Sequence, residues 1–203
     1  RREERPGKGG VMRRMFAEQE DVYYYVTLMN ENYAQPDLPE GAEADVIRGC
    51  YKFNSYLRNT DGGYGPNSLK DVTLLGSGAI LTEVVKAAHW LAAQGVNVTV
   101  YSVTSWSELA RDGRDSLQRQ MAGDVSAPVP FIEQQLQASA GPIIAVTDYV
   151  CAVPESVRAF LPVGRSYLTL GTDGFGRSDT RAALRNFFGV DAEAIAKAAM
   201  HER

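Results

Sequence analysis

Cysteine and histidine are both scarce in this chain of 203 residues, with two of each. Cys50 and Cys151 stand 101 positions apart in apolar surroundings. Arithmetic permits one disulfide between them, and the preferred reading is two buried free thiols in a reducing cytoplasm. Two histidines and two scattered cysteines do not make a familiar zinc site, so no metal ligand is assigned. No apolar run reaches ~18 residues, which leaves no membrane-spanning helix. The first residues lack the apolar core of a signal peptide. An initiator methionine is missing and Met12 comes late, so the chain is expected to be part of a longer polypeptide. A basic excess is lacking too: 21 Lys and Arg against 25 Asp and Glu leave a net charge of −4. That balance argues against a nucleic-acid binder, which needs cations to neutralise phosphates. Residues 1–14 carry six basic side chains against Glu3 and Glu4, a local +4 that leaves −8 on the rest. Without interleaved aromatics this basic start reads as a solvated loop rather than an RNA or lipid arm.

What is present is globular in proportion, with 44% hydrophobic and 23% charged residues, enough for a sizeable core. Val22-Tyr23-Tyr24-Tyr25-Val26-Thr27-Leu28 has strong strand character. Two prolines and a glycine in 35–41 mark a linker. Cys50–Phe53 forms a short strand, and the polar, glycine-containing stretch 54–68 reads as a loop or hairpin tip. From about residue 69 the pattern alternates. Strands are expected at 72–75, 98–103, 143–146 and 167–170. Helices are expected from Ile80 to about Gln94, from Ser105, near 130–138, from about 149, from near Ser178 and after Asp191. Gly95 stops the first of these. Ser105 with Glu108 forms a capping box for the second, followed by a polar stretch around 112–127. Asp191 is a good N-cap for the last. Strands separated by helices make βαβ units, which require a mostly parallel sheet with helices on both faces. The fold is therefore read as a three-layer α/β/α domain over 49–203, with the strand at 49–53 pairing at the sheet edge in antiparallel sense.

Several segments offer chemistry. Gly76-Ser77-Gly78 resembles the opening of a phosphate-binding turn. Leu81 stands where a third glycine would be, and no acidic residue ends the second strand to hold a ribose. A tight strand-to-helix turn accounts for these glycines, and no cofactor-binding residue is assigned. The loop Asp173-Gly174-Phe175-Gly176-Arg177-Ser178 follows a strand at the sheet edge where ligands collect. There Arg177 and a helix start are able to receive an anion. The plainer reading is an ordered loop capped by Ser178, with Phe175 at a domain or subunit contact. Asp148, after the third strand, is a candidate general base, although a carboxylate in a first helical turn serves first as a cap. His89 on a helix face and His201 near the end carry no catalytic assignment. No G-x-S-x-G elbow and no P-loop lysine occur, so no catalytic constellation is assigned.

A resemblance adds to this reading. Lys8-Gly9-Gly10-Val11-Met12-Arg13-Arg14-Met15, Glu18-Gln19-Glu20-Asp21-Val22-Tyr23-Tyr24-Tyr25 and Asn30-Glu31-Asn32-Tyr33 resemble the homodimeric type of pyruvate dehydrogenase decarboxylating component. So do Pro39-Glu40-Gly41-Ala42, Leu75–Gly78, Tyr101–Ser105, Glu108–Gly113, Thr147-Asp148-Tyr149 and Gly171–Asp179. The matches run in order along nearly the whole chain. The family is thiamine-diphosphate dependent and transketolase-like. The resemblance implies that residues 1–48 are the tail of a pyrimidine-binding domain plus a linker. It further implies that 49–203 is a transketolase C-terminal-like domain. Asn30, Glu31, Asn32 and Tyr33 become candidates for an inter-domain contact. The family's magnesium motif, its activating glutamate and its active-site histidines lie upstream of residue 1, so no catalytic role transfers to a residue here. The implied whole enzyme is a cytoplasmic homodimer. It decarboxylates pyruvate with thiamine diphosphate and magnesium and acetylates a lipoyl group on the dihydrolipoyl acetyltransferase. This segment is expected to pack domains and support the dimer, to bind neither cofactor alone, and to meet neither nucleic acid nor membrane. The alternative is an independent α/β module that binds a small anion or regulator at Gly171–Ser178.

Overall fold

A computed structural model of the chain describes residues 13–21, 23, 32–34, 36–57 and 71–201. Five strands form one sheet: β1 (Cys50–Tyr56), β2 (Asp71–Ser77), β3 (Asn97–Val103), β4 (Ile143–Val146) and β5 (Tyr167–Leu170). Their order is β1-β3-β2-β4-β5. β2 runs parallel to β3 and β4, β4 runs parallel to β5, and β1 lies antiparallel to β3. The three-layer, mostly parallel arrangement is the one expected. Val72 to Ser77 are all buried, as a strand covered on both faces should be.

The strand period of two sends alternate side chains to opposite layers. Leu74, Val100, Ile144 and Val146 pack with α2 (Leu81–Ala93) and α7 (Ala192–His201). Leu75, Tyr101, Ile143 and Ala145 pack with α3 (Trp106–Met121) and α4 (Phe131–Leu136) on the other face. A short α1 (Glu43–Arg48) precedes the sheet and ends at Gly49. Asp112 of α3 accepts the Phe131 N–H at 2.6 Å, so one helix caps the start of the next. The Tyr101 hydroxyl donates to the Gln135 carbonyl at 2.8 Å.

The half-buried Arg165 closes the opposite, N-terminal edge of the sheet. Its Nη2 donates to Thr73 Oγ1 at 2.6 Å and its Nε to the Gly141 carbonyl at 2.8 Å. Its Nη1 reaches the Leu136 and Ser139 carbonyls at 3.1 and 3.3 Å. Burial draws the guanidinium pKa down, and one side chain ties β2 to the end of α4 and the approach to β4.

Other expectations are corrected. β1 continues through Asn54, Ser55 and Tyr56, which pair with Val100, Thr99 and Val98 after a register shift between Lys52 and Asn54. These polar residues read as a loop because an edge strand alternates with solvent. The rest of that stretch, including Gly62-Gly63 and Gly65-Pro66, lies outside the described residues, as does most of the strand expected at 22–28. The polar stretch from 112 is helical as far as Met121. Its inward residues are Gly113 and Ser116, too small to register as an apolar stripe, and its outer face is laced by Arg111 with Glu108 and Asp115. The helix expected from about 149 shrinks to α5 (Ala152–Glu155) and a 3-10 turn at Arg158–Phe160, because Thr147, Tyr149 and Cys151 bond to Leu170, Thr172 and Asp173 alongside. The helix expected near Ser178 is α6 (Arg181–Phe188), capped by Thr180, whose Oγ1 accepts the Ala183 N–H at 3.3 Å. Cap expectations hold at Ser105, which accepts the Glu108 N–H at 3.2 Å, and at Asp191, which accepts the Ala194 N–H at 2.9 Å. Both thiols are free, but only Cys50 is fully buried; Cys151 is partly buried. Burial pushes both thiols up from the usual range.

Gly113 sits beneath the Phe160 ring, and a Cβ there would lie 2.3 Å from the ring. Gly113→Ala gains about 1 kcal/mol of helix propensity and incurs roughly 1–3 kcal/mol of overpacking. The clash falls on the inner ring atoms, so the loss wins. The urea midpoint is expected to fall, and the double variant with Phe160→Leu to recover part of it.

Candidate functional site

The strand order reverses direction around β2. The chain leaves β2 toward the α2 face and leaves β4 toward the α3 face, so the C-terminal ends of β2 and β4 stand side by side at a switch point. Two buried hydroxyls meet there: Ser77 Oγ donates to Thr147 Oγ1 at 2.9 Å. Thr147 Oγ1 also accepts the Tyr149 N–H at 3.2 Å. Ser77 is thus committed inside the protein. Gly78, at φ +56°, begins the 3-10 turn Gly78–Ile80 that leads into α2. Gly78 serves this turn, as expected, and Gly76 lets α2 approach β2, since a Cβ there would lie 3.0 Å from Val84.

The loops after β4 and β5 are laced together. Leu170 O accepts the Thr147 N–H at 3.0 Å and Tyr149 O accepts the Thr172 N–H at 2.8 Å. Thr172 Oγ1 donates to Asp148 O at 2.8 Å. The Asp173 carboxylate accepts the Cys151 N–H at 3.2 and 3.3 Å. Gly171 makes this approach possible, since a Cβ there would fall 2.6 Å from Tyr149 O. Asp148 therefore lies in a loop outside any helix, which removes its expected role as a cap.

Beyond this lacing lies a cleft of about 250 Å³. Ile80 and Val190 form its buried floor, with Leu184 and Phe188 of α6 along one side. Arg177, Arg181, Arg185, Asp148 and Thr172 supply its polar rim. Of the loop predicted from sequence, Gly176 and Arg177 reach the cleft. Asp173 turns to the Cys151 amide, Gly174 stands in open space, and Phe175 is 96% exposed. Ser178 does not cap the helix and instead lines a second, polar cleft of about 300 Å³ on the other side of Arg177. The Arg177 guanidinium lies over the Phe187 ring, 3.9 Å from its centroid, a favourable cation–π placement.

Arg185 is held by a buried carboxylate. Glu83, 6% exposed, accepts Arg185 Nη1 at 2.9 Å, Lys86 Nζ at 2.8 Å and the Ala192 N–H at 3.3 Å. One side chain of α2 thereby fixes α6 and the start of α7. Arg185 Nη2 also donates to the Tyr33 hydroxyl at 3.3 Å. Of the candidate contact residues, Tyr33 thus reaches the C-terminal edge and Asn32 is exposed; Asn30 and Glu31 lie outside the described residues. His89 is exposed, edge-on to Tyr56 at 4.6 Å, and His201 is exposed at the end of α7. Among the described residues no three His, Cys, Asp or Glu side chains converge as a metal cage. Sequence reasoning missed the part of Arg181 and Arg185, although their four-residue spacing places them on one helical face.

Glu83→Ala leaves Arg185, its side chain 17% exposed, without its counter-charge, an expected loss of about 3 kcal/mol. Lys86→Ala removes only an exposed partner, with an expected loss under about 1 kcal/mol. Urea denaturation of the two variants side by side checks the contrast.

Comparison with known proteins follows the same lines. Relatives called pyruvate dehydrogenase E1 component include that of Cupriavidus necator, 45% identical over 191 residues. That match takes in 93% of this chain and 20% of the relative. The Escherichia coli K12 relative is 46% identical over 194 residues, 94% of this chain and 20% of its own length. The chain spans about a fifth of the length of these relatives. A solved transketolase from Leishmania mexicana superposes with a TM-score of 0.49 at 19% identity, over 80% of this chain and 19% of that one. A family model described as the transketolase-like TK C-terminal domain matches residues 62–191. That match takes in β2 to β5, the crossover helices and the cleft between them, and the chain belongs to this transketolase-like C-terminal domain family.

Proposed function

We propose that this chain is the C-terminal part of a pyruvate dehydrogenase decarboxylating subunit, with residues 1–48 as the tail of a pyrimidine-binding domain and 49–203 as the C-terminal domain. The observation that carries the proposal is 45–46% identity over nearly the whole chain to relatives of that name. The subunit oxidatively decarboxylates pyruvate and passes the acetyl group to a lipoyl group. It works in the cytoplasm as a homodimer alongside a dihydrolipoyl acetyltransferase. Thiamine diphosphate and magnesium supply the carbanion chemistry of that reaction. The described residues do not fit either group: no acidic cluster converges among them, and the C-terminal-edge cleft is about 250 Å³.

The contribution of this chain is to pack and to present a surface. Phe175, Tyr149 and Val150 are 96, 47 and 43% exposed around the C-terminal edge. Apolar side chains gathered in water fit a face that a larger assembly covers. The Tyr33–Arg185 contact joins the preceding segment to that same edge. With thiamine diphosphate, magnesium and pyruvate, the 203-residue chain is expected to give no dye reduction above background, and the full-length subunit clear turnover. Turnover by the chain alone sinks the scaffold role. Preference of the full-length subunit for another 2-oxo acid sinks the substrate.

A further inference from the structure

We propose that the cleft at the C-terminal edge of the sheet binds a small monocarboxylate with an apolar body, its carboxylate on Arg177 and its body against Ile80 and Leu184. Position supports a ligand, because open α/β sheets take their ligands outside the carboxyl ends of the strands, at the switch point. Size restricts it. The cleft, at about 250 Å³, falls just below the roughly 300–1,000 Å³ of drug-sized sites, which suits a short-chain acid and is too small for a nucleotide. The lining sets its polarity. Ile80, Leu184, Phe188 and Val190 present hydrocarbon, and a purely ionic ligand would leave that surface without a partner.

Charge then selects among anions. Arg185 is already paired with Glu83 at 2.9 Å. Arg177 is steadied over Phe187, and among the described residues it makes no hydrogen bond or ion pair. A guanidinium held in place and still carrying unneutralised charge receives a carboxylate through two parallel N–H bonds. Asp148 lies in the same lining. Its negative charge disfavours a second negative charge on the ligand beside Arg177, which favours a monocarboxylate over phosphate. The neighbouring cleft that holds Ser178 and Asp179 is more polar and lacks the Ile80 and Val190 floor.

The test is calorimetric titration of the full 203-residue chain with isovalerate, isovaleramide and inorganic phosphate at constant ionic strength. Isovalerate is expected to saturate, and the other two to bind about tenfold more weakly or worse. Arg177→Gln is expected to lose about tenfold or more in isovalerate affinity, the size of a hydrogen bond to a charged group. Asp148→Asn is expected to narrow the gap between isovalerate and phosphate. Arg177 is exposed, so an unchanged far-ultraviolet circular dichroism spectrum is expected to show Arg177→Gln folded. Failure of isovalerate to saturate, equal binding of the amide, or undiminished binding by folded Arg177→Gln overturns the proposal.

Discussion

Val72 through Ser77 have no solvent on either face, and a parallel strand so placed must have hydrogen-bonded neighbours on both sides and helices above and below. The rest of the architecture follows from meeting that demand. β3 and β4 occupy the two sides of β2, and the connections between them have to cross opposite faces. Those crossings put α2 in one layer, where α7 later joins it, and α3 and α4 in the other. They also bring the loops after β2, β4 and β5 to one end of the molecule. The cleft is the gap left where chains depart in opposite directions, and Glu83 and Arg185 brace one of its walls.

The central strands were legible because burial on both faces makes them plain apolar runs. The ends of 143–146 and 167–170 coincide with β4 and β5. Elements with one wet face were harder. α3 hides its inward side behind Gly113 and Ser116, small because the Phe160 ring and the chain near Pro128 come close. β1 looked shorter than it is because Asn54 and Ser55 keep the ladder while remaining polar. The helix expected after β4 lost its first residues to bonds with Thr172 and Leu170, partners twenty or more positions away that no local pattern announces.

The site divides in the same way. Arg177 was visible because glycines around it mark a loop after a strand. Ile80 and Leu184 were not, because apolar residues at helical spacing read as core whether they face protein or a cleft. Their role depends on where α6 lies against α2, and Glu83 decides that from a hundred residues away. The family match covers the elements that build this edge. The domain thus couples a fixed scaffold to one end where its loops and the Arg177 guanidinium are exposed.

Among the described residues, the guanidinium of Arg165 bonds to neutral oxygens alone: three carbonyls and the hydroxyls of Thr73 and Ser139. None of these acceptors is a carboxylate, so acidification removes none of them, and arginine keeps its proton at alkaline pH. Ionic strength has little purchase on half-buried bonds of this kind. The molecule is therefore fastened at one pole by a rivet indifferent to the medium. At the other pole, the bracing by Glu83 and Arg185 consists of opposite charges. That pole depends on both members of a charge pair, whereas the first hangs on a single side chain.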